Sequence, residues 1–238
     1  MTNKELVNKL INIAKNYKTL YVMGCFGAPM TAENKTRYCD NHSDNKSADR
    51  QKMIKAATAD TFGFDCVNLI KAVLWGWNGD KSKTYGGAKY ATNGVPDVSA
   101  DGMIAKCLNV STNFSNIEVG EAVWCSGHIG VYIGDGLAVE CTPSWKNCVQ
   151  ITACNCTKSG YNRRNWVKHG KLPYITYEKP EPKKLETGND IIWQLMNGEH
   201  KIKIDDAKRA VTALDKAKNS PEFMSLYWIL YKLVNGNG

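Results

Sequence analysis

The most constraining feature of this sequence is an apolar stretch with a cysteine at its start. Between positions 67 and 75 only two residues are polar, so the segment predicts a helix that is buried on nearly all sides. Asp65 suits the capping position and would make Cys66 the first helical residue. Unpaired backbone N–H groups and the helix dipole would stabilise a thiolate there. The sequence therefore predicts a domain built around this helix, with Cys66 either a nucleophile or a small buried side chain.

Proline and charge content divide the chain into two parts. The 238 residues are 43% hydrophobic and 23% charged, which leaves room for one sizeable core and a smaller module. The stretch 178–188 holds two prolines and six charged residues, which predicts a linker. We therefore expect a first domain at 1–177 and a second module at 189–238.

The net charge of +8 is carried almost entirely by the first domain. From position 187 onward there are seven Lys or Arg against six Asp or Glu, which leaves +7 for the residues before it. A basic field favours anionic partners such as nucleic acid, a membrane surface or an anionic cell wall. The basic residues are scattered rather than set in a recognised module, so we do not expect nucleic-acid binding.

Helix signals occur throughout the chain. Thr2-x-x-Glu5 is a capping box before an amphipathic first helix. Residues 31–59 predict a polar surface insertion with helical composition at 48–57, and Ser99 caps a helix that runs to position 107. Three further helices are expected in the C-terminal module, at Asp190–Met196, at Asp205–Asn219 with Asp205 as its cap, and at Pro221–Val234.

The strand signals lie between positions 121 and 176. Alternating residues on both sides of Gly134-Asp-Gly136 predict a β-hairpin over 121–142. Further strands are expected at 146–152 and 166–176, with a basic loop at 163–164 between them. The run 20–29 is expected to be a short extended segment broken by two glycines and a proline, as in a loop beside a site. Antiparallel strands on a core helix predict an α+β domain, followed by a small all-α three-helix module.

Cellular location and cofactors follow from what the sequence lacks. No apolar run is long enough to span a bilayer, and the start of the chain predicts an amphipathic helix rather than an export signal. We therefore expect synthesis in the cytoplasm, no membrane insertion, and nine free thiols. A metal site formed by Cys148, Cys154, Cys156 and His169 is a weak alternative, because Cys-x-Cys lacks the usual zinc spacing. We expect no metal and no cofactor.

His128 is the candidate base for a cysteine nucleophile. In a strand, His128 and Gly130 share one face. If residues 134–136 form a three-residue loop, Gly130 lies opposite Glu140, and the carboxylate becomes the diagonal neighbour of His128 on that face. A two-residue loop would put the two side chains on opposite faces. The alternative is a satisfied strand histidine beside an exposed carboxylate.

Four motifs together resemble the NlpC/P60 family of papain-like cysteine peptidases, which cut cell-wall peptides. The resemblance covers roughly residues 6–177. The matching segments are Tyr21-Val-Met-Gly24, Phe64-Asp-Cys66, Gly120-Glu-Ala-Val123 and His128-Ile-Gly-Val-Tyr-Ile-Gly134. The resemblance implies a papain-like fold in which the core helix bears the nucleophile.

The resemblance also implies a role for each site residue. Cys66 would be the nucleophile, His128 the general base and Glu140 the third polar residue. Tyr21 would line the site near the oxyanion, and Asp65 would lie beside a substrate amine. Such enzymes act through an acyl-enzyme and need no cofactor.

This chain departs from the family pattern beside the cysteine and at the third position. Val67-Asn68 replaces the usual Ser-Gly, and Cys25 replaces a second glycine after Tyr21. Glu140 stands where the family more often has His, Asn or Gln, and is similar to the related CHAP enzymes. Because residues beside the cysteine contact substrate in the family, endopeptidase and N-acetylmuramoyl-L-alanine amidase both stay open.

The whole chain resembles an endolysin of a phage or prophage with a Gram-positive, clostridial host. Such enzymes act on peptidoglycan after release through a holin. The C-terminal module would bind the wall or, equally, form a homo-oligomer. Competing interpretations are a cysteine-dependent acyltransferase, which shares the acyl-enzyme, and a non-enzymatic phage structural protein.

Overall fold

The computed structural model describes residues 1–178, 204–215, 227–228 and 231. The chain divides into two units, Met1–Glu178 and Lys179–Gly238. Glu178 was expected to begin the linker, but its backbone N–H donates to Asn3 Oδ1 at 3.2 Å and its carboxylate pairs with Lys4 at 2.9 Å. The rest of the predicted linker, and most of the predicted C-terminal module, lie outside the described residues.

Five α-helices are described in the first unit and one in the second. They are α1 (Asn3–Asn16), α2 (Ala32–Asn41), α3 (Ala48–Ala56), α4 (Cys66–Leu74), α5 (Ala100–Lys106) and α6 (Ile204–Asp215). No described helix combines the length and the apolar character that crossing a bilayer requires.

Ten strands are described in the first unit. They are β1 (Thr19–Tyr21), β2 (Phe26–Pro29), β3 (Phe62–Phe64), β4 (Leu108–Ser111), β5 (Ala122–Cys125), β6 (His128–Gly134), β7 (Leu137–Thr142), β8 (Cys148–Cys154), β9 (Arg163–Arg164) and β10 (Lys168–Lys171).

These strands form two sheets within residues 1–178. The smaller has the order β1-β3-β2, and the larger has the order β4-β10-β5-β6-β7-β8-β9. The larger sheet is antiparallel except for the β8–β9 pair. Helix α4 packs against β6 and β7. The first unit is therefore a mixed α+β fold, as predicted.

Helix α4 is buried along its whole length. Leu69 and Ile70 are at most 1% exposed, and each such side chain contributes about 1.5–3 kcal/mol to folding. Ile70→Ala would cost about 2–5 kcal/mol. The buried polar Lys71 forms an ion pair with Asp97 and donates to the Val98 carbonyl at 3.0 Å, so its charge is satisfied.

Capping residues fix where the helices begin. Thr2 and Glu5 form the predicted capping box of α1, with Glu5 N–H donating to Thr2 Oγ1 at 3.2 Å and Thr2 N–H donating to Glu5 Oε2 at 2.8 Å. Ser99 caps α5 and accepts from Gly102 N–H at 3.1 Å. Both sequence predictions are confirmed, because a cap requires only residues within one turn.

Several predicted elements were wrong or misplaced. The loop expected at 20–29 contains β2 and part of β1, and the basic loop at 163–164 is strand β9, paired in parallel with β8. The polar insertion contains α2 as well as α3, because Thr31 caps α2. The strand expected at 166–176 is limited to β10. Helix α6 begins at Ile204, one residue before its predicted cap.

Candidate active site

Cys66 is the first residue of α4, as the sequence predicts. The Asp65 carboxylate caps the helix by accepting from Asn68 N–H at 2.7 Å, a contact worth about 1 kcal/mol. Strand β3 ends directly before Asp65, so the strand-to-helix turn fixes the direction of the Cys66 side chain. The residue is 6% exposed. A small opening therefore reaches a thiol that the core otherwise encloses.

The Cys66 thiol lies against the start of strand β6. Its Sγ is 4.0 Å from the Gly127 carbonyl oxygen, and the backbone N–H of Ile129 lies close enough to stabilise a thiolate. These two residues flank His128. The chain on either side of His128 therefore passes directly along the candidate nucleophile.

The resting Cys66 is a thiol rather than the thiolate predicted from the sequence. Burial, and next the Asp65 carboxylate, raise its pKa to about 12. Backbone N–H groups of Cys66, Val67 and Ile129 act in the opposite direction and are outweighed. The proton must therefore leave the sulfur during attack, which requires a base within reach.

His128 and Glu140 form a hydrogen bond across the β6–β7 hairpin. His128 Nε2 lies 2.7 Å from Glu140 Oε2. The hairpin turn is not the expected three-residue loop but a two-residue turn, Asp135-Gly136, with φ of 51° and 67°, as in type I′ turns. An irregularity between Tyr132 and Gly134 shifts the register by one residue. This bulge restores the predicted pairing, so both side chains share a face.

The hydrogen bond selects the ring nitrogen of His128 that can act as a base. A carboxylate without a proton only accepts hydrogen bonds, so an ionised Glu140 receives the proton that Nε2 carries. In the neutral ring Nδ1 then has the free lone pair. Nδ1 is the atom that could take a proton from Cys66.

Glu140 is fully buried yet held as a carboxylate. Burial alone would raise its pKa, but hydrogen bonds from His128, Arg164 and Thr152 outweigh burial and lower it. Thr152 Oγ1 donates to Oε1 at 2.6 Å. Arg164 donates to Oε2 through Nη2 at 2.8 Å and through Nε at 3.1 Å. The site thus contains an ionised carboxylate held in place by three donor side chains.

The ring of Trp166 holds the His128 imidazole in place. The imidazole stacks on Trp166 with an interplanar angle of 8° and centroids 5.5 Å apart. Gly130 makes room for this ring, since a Cβ there would lie 3.2 Å from Trp166 atoms and 2.8 Å from the Val139 carbonyl oxygen. The His128 side chain is 15% exposed. The plane of the imidazole and the hydrogen bond of its Nε2 atom are therefore both fixed.

Tyr21 and Asp65 both lie close to the Cys66 thiol but differ in how readily they could contact a substrate. Burial, and next Cys66 and Asp65, raise the pKa of Tyr21, so its hydroxyl stays protonated. Asp65 Oδ2 accepts from Gly24 N–H at 2.9 Å and from Asn68 Nδ2 at 2.6 Å. Asp65 is 4% exposed. The structure thus gives Asp65 a capping and tethering function, and contact with a substrate amine stays a prediction.

The polar insertion reaches the site through Arg50 on α3. Its guanidinium lies 5.4 Å from the centre of the Tyr21 ring and hydrogen-bonds the Tyr21 carbonyl. Arg50 Nη1 also donates to Asn147 Oδ1 at 2.7 Å. The insertion is therefore tied to Tyr21 and to the chain before β8, and is not only a surface feature.

In the structure His169 is engaged elsewhere and is not available to the alternative metal site. His169 Nδ1 contacts Glu121 and Nε2 lies 2.9 Å from the Asn113 carbonyl, so both ring nitrogens are occupied. All nine cysteines lie within residues 1–178 and are free thiols. Among the described residues no three or more His, Cys, Asp or Glu side chains are grouped to hold a metal ion.

Sequence reasoning missed three residues around the candidate triad. Thr152 pairs with Ala138 between β7 and β8, so it is the diagonal neighbour of Glu140 on the same face of the sheet. The alternation of side chains along the two strands could have predicted this position. Arg164 and Trp166 come from the segment taken for a loop and the start of a strand. Only the long-range β8–β9 pairing brings them to the site, and no local pattern indicates it.

Comparison with known proteins adds little to this geometry. No protein-family model and no curated protein matches the sequence. Among solved structures, NlpC1 from Trichomonas vaginalis is similar with 12% identity and a TM-score of 0.36, over 71% of this chain and 44% of that one. The chain thus spans less than half of the length of that protein.

Proposed function

We propose that this chain is a cysteine peptidase or amidase that cleaves amide bonds in peptidoglycan. Cys66 is the nucleophile, His128 the general base and Glu140 the residue that orients the base. The single observation that carries the proposal is the 2.7 Å contact between His128 and Glu140, in a strand whose preceding residue, Gly127, has its carbonyl oxygen 4.0 Å from the thiol at the helix start. An isolated core cysteine needs no such pair, and nucleophile, base and orienting group together are the signature of covalent catalysis.

The first chemical step follows from the protonation states. Cys66 holds its proton at rest, so attack on the substrate carbonyl is coupled to proton transfer from sulfur to His128 Nδ1. The imidazolium then donates through Nε2 to Glu140, which stabilises its charge. The protonated ring next gives its proton to the leaving amine. Water attacks the resulting thioester, with His128 again accepting the proton, and releases the acid product.

Two groups are available to stabilise the oxyanion. The backbone N–H of Cys66 is free of intrahelical partners because it belongs to the first turn. The Tyr21 hydroxyl is kept protonated by its raised pKa and can donate. Donors fixed in a poorly solvated site of this kind typically contribute about 10²–10³ in rate. The same groups would serve an endopeptidase and an amidase.

The wall as substrate is supported by charge and by the sequence resemblance. The chain carries a net charge of +8, which favours encounter with anionic wall polymers. The NlpC/P60-like motifs, together with the expected linker and C-terminal module, favour a phage or prophage endolysin released through a holin. On this proposal the partner is peptidoglycan of a Gram-positive host, and the C-terminal module binds the wall or forms a homo-oligomer.

Fragments released from purified walls test the proposal. Peptidoglycans of several stem-peptide chemistries are incubated with the wild-type protein and with Cys66→Ser, and the products are identified by mass spectrometry. New amino termini within stem peptides indicate an endopeptidase, and intact stem peptides freed from glycan indicate an amidase. Products in which an added amine replaces water indicate an acyltransferase. No release from any wall contradicts the proposal and favours a structural protein.

A further inference from the structure

Arg164 and His128 both donate to the same carboxylate oxygen. Arg164 Nη2 is 2.8 Å and His128 Nε2 is 2.7 Å from Glu140 Oε2. Arg164 Nε reaches both carboxylate oxygens, at 3.1 Å and 3.3 Å, and Nη2 also donates to Thr142 Oγ1 at 3.0 Å. A fork of donors on one carboxylate is the geometry in which arginine differs from lysine.

The fold holds the guanidinium in this position. Arg164 pairs with Cys154 in the parallel β8–β9 ladder, which directs its side chain along the face that carries Glu140. The guanidinium carbon lies 4.7 Å from the Trp145 ring centre and 5.9 Å from that of Trp166. Contacts of a cation with aromatic rings at these distances stabilise the position of the guanidinium. The Arg164 side chain is 21% exposed, so the pair with Glu140 is only weakly screened.

The remaining titratable groups near this pair carry no charge at neutral pH. Two thiols interact with this pair, Cys125 of β5 and Cys154 of β8, and the third thiol of the site is Cys66 at the start of α4. Burial raises the pKa of each, to about 12 for Cys66 and Cys154 and above the usual value for Cys125. Among the described residues, the charged side chains bonded to His128 or to its partner are Glu140 and Arg164. A further carboxylate, that of Asp101 on α5, accepts from the neighbouring Gly127 N–H at 3.0 Å.

We propose that Arg164 is a positioning residue that cancels the charge of Glu140, so that His128 works beside a neutral ion pair rather than a bare carboxylate. The inference rests on the proposed Cys66–His128–Glu140 mechanism. A bare carboxylate would stabilise the imidazolium strongly, and the base would then be held protonated over a wider range of pH. With Arg164 present, Glu140 still accepts the hydrogen bond that orients His128, but its negative charge no longer favours the protonated ring as strongly.

A purely structural counter-ion would make different predictions. Loss of Arg164 would leave a buried carboxylate without its cation and would lower stability in either case. Only charge cancellation predicts that the pH profile of catalysis shifts. It also predicts that neutralising Arg164 and neutralising Glu140 shift the profile in opposite directions.

The pH profile of kcat/KM for four variants tests the proposal. Arg164→Gln exposes His128 to the bare carboxylate, so both limbs of the profile move to higher pH, by about one unit or more. Glu140→Gln exposes it to the bare guanidinium, so both limbs move to lower pH. The double variant returns the profile close to the wild-type position. Arg164→Lys keeps the charge without the fork, so it keeps the wild-type position with reduced turnover.

The neighbouring Arg163 supplies the matched control. It is exposed and its Nε donates to Asn165 Oδ1 at 2.8 Å, so Arg163→Gln removes the same charge from the same strand without touching Glu140. Its profile is expected to stay at the wild-type position. An equal shift in Arg163→Gln and Arg164→Gln would mean that only net charge acts, and would overturn the proposal.

A second readout separates this inference from the proposed function. The rate at which iodoacetamide alkylates Cys66, followed by peptide mass spectrometry, depends on the same ionisations but needs no substrate. If no wall is cleaved, the proposed function fails while alkylation still tests Arg164. If Arg164→Gln does not fold, comparison of Glu140→Gln with the double variant decides, since neither contains an unpaired buried carboxylate. Identical profiles for those two proteins would overturn the proposal.

Discussion

His128 Nε2 and Glu140 Oε2 are 2.7 Å apart because the β6–β7 hairpin combines a two-residue turn with a one-residue irregularity. Without that irregularity the two side chains would lie on opposite faces of the sheet. Bulges beside functional sites commonly redirect a side chain in this way.

We predict that Cys66→Ser abolishes wall cleavage in a protein that still folds. A serine hydroxyl is a weaker acid than a thiol, and His128 and its partners offer it no stronger base. The change is nearly isosteric, so the midpoint of thermal unfolding should move little. Turnover measured on a soluble wall fragment checks the rate.

Cys156→Ser is the matched control for that variant. Cys156 is half-buried and its Sγ donates to the Gly136 carbonyl at 3.4 Å, which a hydroxyl can also do. Full activity is expected. If Cys66→Ser retained activity comparable to this control, another residue would have to be the nucleophile.

We predict that Glu140→Ala lowers turnover more than Glu140→Gln. The glutamine can still accept from His128 Nε2 through its carbonyl oxygen, whereas alanine leaves the ring without its partner. The ratio of the two kcat values, with KM measured in parallel, isolates orientation. Equal kcat values for alanine and wild type would show that Glu140 does not orient the base, and Thr152→Val is a control that removes a hydrogen bond from the carboxylate alone.

The lowered pKa of Glu140 predicts a specific dependence of stability on pH. The carboxylate binds protons less readily in the folded than in the unfolded protein. Its contribution is therefore fully present above the pKa of glutamate in the unfolded chain, about 4.3, and is lost as pH falls through the lower folded pKa. Thermal midpoints of wild type and of Glu140→Gln/Arg164→Gln should differ at pH 7 and converge at lower pH. A constant difference would contradict this assignment.

We predict that residues 1–178 suffice for chemistry on soluble wall fragments. The first unit ends at Glu178, whose backbone is tied to Asn3, and every candidate catalytic residue precedes it. If the C-terminal module targets the wall, the truncated protein should match the full chain on fragments and lose lysis of intact cells. Unchanged lysis of whole cells would remove the targeting function from the proposal.

The sequence predicted those parts of the site that depend on neighbours in the chain. The Asp65 cap, the position of Cys66 and the shared face of His128 and Glu140 follow from residues a few positions apart. The prediction that Cys66 is a thiolate at rest was wrong, because the ionisation of this thiol depends on how deeply the fold buries it. Burial is a property of the packed domain, whereas the first backbone N–H groups of a helix are a local feature that the sequence shows.

The parts that were missed depend on pairing between distant segments. Arg164 reaches Glu140 only because two residues of β9 align in parallel with the end of β8. So short a strand has no periodicity to detect. The hairpin register was predicted correctly, although the loop behind it was not, since the Asp135-Gly136 turn and the bulge together add the same one-residue offset as the expected loop.

Asp65 offers the last test, because it acts on Cys66 as well as on its helix. After burial, its carboxylate is the largest influence that raises the pKa of the Cys66 thiol. Asp65→Asn removes that charge, so alkylation of Cys66 should begin at lower pH than in the wild type. The new amide N–H group must face the donors of Gly24 or Asn68, and an unmatched buried donor costs about 1–3 kcal/mol. Asp40→Asn, which changes an exposed carboxylate of α2, should alter neither property. An alkylation profile of Asp65→Asn identical to that of Asp40→Asn would show that Asp65 acts only as a cap.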